Sequence, residues 1–148
     1  MKKKILLIII TIGAGILFTF YFLNKENIYA KEEYIVYAFQ VGAFKNYENA
    51  QEYSQNFESF IIKQEDNLYK VFVGIYNNID IVNKMIVYFE NNNINIYLKS
   101  LNVSKKFYND LENYEKIILN TEDTNVYNKI NESILNNYLE SINYEKDI

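Results

Sequence analysis

Hydrophobic residues follow three successive rhythms along this chain. Residues 5–23 form an unbroken run of nineteen uncharged positions. From residue 34 to residue 103, stretches that alternate apolar and polar side chains are separated by stretches with helical spacing. Beyond residue 103 the alternation stops and only the helical rhythm persists.

The middle region predicts six elements. Residues 34–41 alternate as a strand, with Ile35, Tyr37, Phe39 and Val41 on one face and Val36, Ala38, Gln40 and Gly42 on the other. Asn46 then stands as an N-cap before Ala50, Tyr53, Phe57 and Phe60, which recur at helical spacing. A short strand over residues 59–64, the polar turn Glu65-Asp66-Asn67 and a third strand over residues 68–73 come next, with Lys70 and Phe72 on one face and Val71 and Val73 on the other. Asn78 and Asp80 cap a second helix whose stripe is Val82, Met85, Ile86 and Phe89. Asn91-Asn92-Asn93 ends that helix, and residues 94–100 alternate again as a fourth strand.

A phrase recurs within this order. Val41-Gly42-Ala43-Phe44-Lys45-Asn46 returns thirty-two residues later as Val73-Gly74-Ile75-Tyr76-Asn77-Asn78, and each copy reads as strand, glycine turn and helix cap. A unit duplicated at that spacing predicts a two-layer α+β domain of βαββαβ order. This is the ferredoxin-like arrangement: a four-stranded antiparallel sheet, first and third strands central, both helices on one face. The other face then lies open, with Gln40 and Ala38 beside Lys70 and Phe72, and with Tyr97 and Lys99 extending it along the fourth strand. An amide, a lysine and aromatics on a bare sheet have the chemistry of a binding platform; an ordinary solvated face is the plainer alternative.

The flanks set the context. Lys2-Lys3-Lys4 precedes the apolar run, which as a helix spans roughly 28 Å, close to the hydrocarbon thickness of a bilayer. We expect residues 1–4 to form a cytoplasmic lysine tail, 5–23 a single transmembrane helix and 24–33 a short linker, with the rest of the chain outside the cytoplasmic membrane. A cleaved signal peptide competes with this, but its apolar core usually runs only about 7–15 residues. Ile28-Tyr29-Ala30 is moreover a poor cleavage site. After residue 103, Phe107, Leu111, Tyr114 and Ile118 form one helical stripe, and Tyr127, Ile130, Ile134, Tyr138 and Ile142 form another. Residues 104–148 thus predict an acidic helical extension, an αα-hairpin that either packs on the domain or offers a docking surface to an envelope partner.

Composition removes several classes of function. Cysteine and histidine are absent, so a thiol nucleophile, an imidazole base and the common zinc sets are excluded, and we expect no catalysis, metal or cofactor. The acidic pairs Glu32-Glu33, Glu65-Asp66 and Glu122-Asp123 lie in linkers and turns, where adjacent carboxylates are ordinarily solvated. Net charge is −4, and residues 34–103 carry five lysines against seven acids, which is no footprint for nucleic acid. An RNA-recognition fold shares the βαββαβ order, but export and acidity count against it.

Residues 34–103 resemble the SPOR (sporulation-related repeat) domain. The resemblance is carried by Tyr37-Ala38-Phe39-Gln40-Val41-Gly42-Ala43-Phe44, by Asn46 and Asn49-Ala50, and by Tyr69-Lys70-Val71-Phe72-Val73-Gly74-Ile75-Tyr76. It implies non-catalytic binding of peptidoglycan, especially glycan strands stripped of stem peptides, across the helix-free face of the sheet at a division or sporulation septum. On this resemblance Gln40, Ala43, Leu68 and Lys70 fall on family binding positions, and Phe72 or Tyr97 would supply aromatic contact to sugar. Lys70 stands where the family usually has arginine, Leu68 where some members carry an aromatic, and Ile75 where proline is frequent. The alternative function is an envelope adaptor that acts through its C-terminal helices, its sheet no longer binding glycan.

Overall fold

The computed structural model describes residues 33–144. The lysine tail, the apolar run at 5–23 and the linker up to residue 32 lie outside the described residues. Among the described residues, no helix is long and apolar enough to cross a membrane. The elements follow in the order β1 (Tyr34–Phe44), α1 (Tyr47–Ser54), β2 (Ile61–Glu65), β3 (Leu68–Tyr76), α2 (Ile79–Asn91), β4 (Tyr97–Val103), α3 (Lys105–Leu119) and α4 (Thr124–Tyr144). The sheet is antiparallel throughout, in the order β2-β3-β1-β4, with β1 and β3 central as expected.

Local chemistry accounts for the turns. Asp66 and Asn67 both adopt positive φ, 54° and 60°, as a two-residue hairpin turn of type I′ requires. The Asn78 side chain caps α2 by accepting from the backbone N–H groups of Asp80 and Ile81. At the far end Asn93 has φ 56°, and Ile94 N donates to Phe89 O while Asn93 N donates to Glu90 O. That is a Schellman closure, made with asparagine where glycine is commoner. Asn46 occupies the N-cap position of α1 but makes no side-chain capping bond.

The repeated Val-Gly pairs are not turns. Both lie inside central strands, and neither glycine has a positive φ. They are β-bulges. Ala38 pairs with Ile75 and Gln40 with Phe72, so β3 carries one extra residue there; Gln40 pairs with Phe72 and Gly42 with Val71, so β1 carries the next. The two insertions cancel, and only the Gln40–Phe72 pair is displaced from the common register. Within a strand, residues two apart share a face, so each glycine sits beneath the aromatic two positions on. A Cβ on Gly42 would stand 2.6 Å from the Phe44 ring, and one on Gly74 would stand 2.7 Å from the Tyr76 ring. The glycine provides space rather than an unusual backbone angle.

The two copies differ in how much they tolerate. Phe44 is partly exposed near the end of β1 and can swing aside, whereas Tyr76 is fully buried and its hydroxyl is hydrogen-bonded. Gly74→Ala is therefore expected to destabilise by about 1–3 kcal/mol, as overpacking does. Gly42→Ala is expected to be within about 1 kcal/mol of neutral, because the lost chain entropy of glycine offsets a small shift of Phe44. Urea unfolding of the two variants checks this, and equal costs would contradict it.

One face of the sheet carries α1 and α2. Phe44 meets Tyr53 at 5.3 Å between ring centroids, Phe39 meets Phe89 at 5.7 Å, and Tyr47 meets Tyr69 at 5.6 Å. The expected open face is half closed. Helices α3 and α4 pack together and onto β1, β2 and β3. Tyr108 lies against Tyr34, and Tyr138 lies against Phe107 and under the Lys63 ammonium. Val36, Ala38, Phe72, Ile75 and Leu101, which pairing places on this second face, are all buried. The predicted stripes of the two helices contribute Phe107, Leu111, Ile118, Ile134 and Tyr138 to the same core.

Two polar side chains inside those stripes hold the helices to the ends of the sheet. Strand β2 stops opposite Phe72, so the next carbonyl of β3 has no strand beside it; Asn131 Nδ2 donates to Val73 O at 2.9 Å instead. That bond fixes the orientation of the amide, since a carbonyl can only accept. Asn131 Oδ1 must then take the Tyr76 proton, at 2.7 Å, and the single Tyr127 proton is shared between the Tyr76 oxygen, at 2.7 Å, and Met85 Sδ, at 2.9 Å. Burial pushes the Tyr76 phenol well above its usual range and Tyr127 to about 12, so both remain neutral donors. At the start of α2, Glu115 Oε1 accepts from Asn77 N and Asn78 N, tying α3 to the end of β3. Burial raises the Glu115 pKa against the opposing pull of these two donors.

Candidate functional site

What α3 and α4 leave uncovered is the hairpin end of the second face. Regular alternation would put Gln40 and Ala43 on opposite sides of β1. The bulge at Val41-Gly42 brings them to the same side, and its counterpart on β3 keeps Lys70 and Phe72 beneath them. Pairing then sets out rows across the sheet. Tyr97, Gln40, Phe72 and Ile61 form one; Ala43, Lys70 and Lys63 form the next; Leu68 and Glu65 form the last.

Of the six residues singled out from the sequence, five reach this surface. Tyr97 is 65% exposed and Ala43 is exposed, while Gln40, Leu68 and Lys70 are partly exposed. Phe72 is the exception. It is 1% exposed beneath the C-terminal helices, so it belongs to the core and has no surface to offer a ligand. Ala38, expected beside Gln40 on the open platform, is on that face but fully buried. The physical reason is the same for both: the alternation that assigns a residue to a face does not say what covers that face.

Lys70 is committed within the protein. Its ammonium lies 2.7 Å from Glu65 Oε2 and 3.0 Å from Asp66 Oδ2, and its side chain is only 13% exposed. Lys99, from the opposite edge of the sheet, also reaches Glu65 Oε2. Hydrogen bonds from Lys70 and Lys99 hold the Glu65 carboxyl down at about 2, and the bond to Glu65 raises the Lys70 pKa. Lys63 donates to the Tyr138 hydroxyl at 3.1 Å. The surface is therefore a cluster of three lysines around Glu65, with Asp66 as a second carboxylate on Lys70, flanked by an amide, a small residue and an exposed phenol.

Glu65 and Lys63 were missing from the residues expected to bind. A signal for them exists in the sequence: a two-residue turn at Asp66-Asn67 fixes the hairpin register, which sets Glu65 opposite Leu68 and Lys63 opposite Lys70. Among the described residues, no group of His, Cys, Asp or Glu could hold a metal ion.

A second concavity, of about 730 Å³, opens on the other side of the molecule between α2 and the α3–α4 junction. Phe57, Met85, Tyr88, Leu119 and Tyr127 are among its walls.

No protein-family model matches the chain, and a search of the curated proteins finds no match. Among solved structures, the chain is similar to the solution structure of the peptidoglycan-binding domain of the B. subtilis cell wall lytic enzyme CwlC. The two are 27% identical over 47% of this chain and 94% of that domain, with a TM-score of 0.41.

Proposed function

We propose that this protein binds peptidoglycan without catalysis, laying a glycan strand stripped of stem peptides across the uncovered end of the sheet. The observation that carries the reading is the paired bulge. It gathers Gln40, Ala43, Leu68, Lys70 and Tyr97, four of them from positions where the chain resembles the SPOR family, onto one accessible surface. Gln40 offers an amide to sugar hydroxyls, Lys70 offers a cation, and Tyr97 offers an apolar ring with a polar tip. Ala43 leaves the strand backbone low enough for close approach. With residues 5–23 as a membrane anchor, such binding would concentrate the protein where bare glycan accumulates, at a division or sporulation septum.

Tyr97 gives the cleanest test because its ring is largely exposed and lies outside the core. Tyr97→Ala is expected to lower retention of the full chain on amidase-treated sacculi by roughly tenfold, equivalent to about 1.4 kcal/mol, with the melting temperature unchanged. If the wild-type chain is not retained on such sacculi at all, glycan binding is wrong.

The concavity walled by Met85, Tyr88 and Leu119 favours the second reading, an adaptor that recruits an envelope protein through its C-terminal helices. Septal localisation of Tyr97→Ala separates the two readings. It is lost if the glycan face directs the protein and kept if the helices do.

A further inference from the structure

The cluster around Glu65 has a chemistry of its own. Residues 34–103 are acidic overall, yet three of their five lysines gather on one face: Lys63 and Lys70 stand at its uncovered end, and Lys99 reaches that end from the row of Ala38 through its contact with Glu65. Lys63 and Lys70 are direct cross-strand partners, an arrangement that like charges disfavour unless an anion lies between or beside them. Glu65 and the exposed Asp66 both supply that anion at Lys70, but only Glu65 joins two lysines: its Oε2 accepts from both Lys70 and Lys99.

The reach of this contact matters. Glu65 stands on β2 and Lys99 on β4, the two outer strands of the sheet. Outer strands of a four-stranded sheet are roughly 14 Å apart, three times the spacing between neighbours. The Glu65–Lys99 pair therefore bridges both central strands, over the surface that holds Gln40, Ala43 and Lys70.

We propose that Lys63, Lys70 and Lys99 form a carboxylate subsite, and that Glu65 is its resident occupant, exchanged for a carboxylate of the ligand on binding. The inference rests on the glycan reading and sharpens its substrate. In a peptide-bearing glycan the lactyl group of the muramic acid is tied up as an amide; once the stem peptide is removed, the same group is a free carboxylate. A lysine cluster that releases its own glutamate only to another carboxylate distinguishes the two forms directly. On exchange Glu65 turns out to water at the edge of the hairpin, and the ammonium groups keep their charge-assisted bonds with a new partner. Glu65 then acts as an internal competitor that sets the affinity.

Two readouts on the full-length chain in mild detergent test this. The first is binding of soluble stem-peptide-free glycan, compared with the same glycan after its carboxylates are capped as amides. Wild type is expected to prefer the free form, and Glu65→Gln to bind the free form about fivefold tighter still, by removing the competing charge, without gaining on the capped form. Equal binding of free and capped glycan would overturn the subsite and leave the glycan reading standing. The second readout is the side-chain NMR signals of Lys70 and Lys99 during titration with D-lactate alone. They are expected to shift at lower lactate in Glu65→Gln than in wild type. Shifts there without binding of any glycan would support the subsite and overturn the glycan reading, and no lactate shift in either protein would overturn the subsite.

Discussion

A chain ending at Val103 is expected not to fold. Such a shortening follows the natural seam in the sequence, where the duplicated unit ends and the helical extension begins, and on periodicity alone it should leave an intact domain. The packing says otherwise. Truncation removes Phe107, Leu111, Ile118, Ile134, Leu135 and Tyr138 from the core and uncovers Val36, Ala38, Phe72, Ile75 and Leu101. Each side chain of that size contributes roughly 1.5–3 kcal/mol when fully buried, and the six together rival the ~5–15 kcal/mol by which a whole domain is usually stable. The shortened chain is expected to lose its near-ultraviolet circular dichroism and its cooperative urea transition, and to self-associate through the bared sheet. A soluble fragment with a sharp transition would show that α3 and α4 are dispensable. The same reasoning bears on function. Mislocalisation of a chain lacking residues 104–148 would report a collapsed sheet as readily as a lost partner, so surface substitutions such as Tyr97→Ala are the sound way to separate glycan binding from adaptor activity.

Asn131→Leu is expected to be the most damaging near-isosteric change, at roughly 2–5 kcal/mol. Leucine fits the helical stripe and improves its hydrophobicity, so the sequence pattern alone would rank the substitution as harmless. It leaves Val73 O buried without a donor at the point where β2 has ended, and it takes the acceptor away from the Tyr76 hydroxyl. Each orphaned buried group costs about 1–3 kcal/mol. Tyr127→Phe is the matched control: it gives up the hydroxyl contacts to Tyr76 and Met85 Sδ, but Tyr76 still donates to Asn131, so the cost should stay at about 1 kcal/mol. Urea midpoints for the pair decide the matter, and Asn131→Leu proving no worse than Tyr127→Phe would sink the proton assignment on which the argument rests.

These cases mark how far the sequence can be read. The order of the six elements and of both C-terminal helices follows from apolar spacing, because a period of two or of 3.6 is a local property of the chain. Their ends do not, since Phe57 and Phe60 lie beyond the close of α1 at Ser54 and β4 begins at Tyr97 rather than at residue 94. The hairpin at Asp66-Asn67 was also open to reading, since a two-residue turn fixes its own register. The faces were harder. Counting alternation through Val41-Gly42 assigns Gly42 to the side of Gln40, whereas the bulge turns it towards Tyr53. The cover was harder still: the stripe Phe107, Leu111, Ile118 says that α3 is buried but not against which surface. Phe72, on the face of Gln40 and Lys70, lies under that cover for this reason. Glu115 and Asn131 break the apolar stripes of their helices, and those breaks are the trace in the sequence of backbone groups left without a strand partner in β3 past the end of β2 and just beyond β3.

The cancelling bulges also tie the two copies of the repeat to each other in inheritance. Losing one residue from Val41-Gly42 alone would leave the extra residue at Val73-Gly74 uncompensated. The offset would then run on past Gln40, and the Ala43–Lys70 and Phe44–Tyr69 pairs would form out of step, with one strand's side chains turned to the wrong side of the sheet. A deletion in either copy is tolerable only with a matching deletion in the other. Side chains of each phrase can change independently, but the number of residues in the two phrases can change only together.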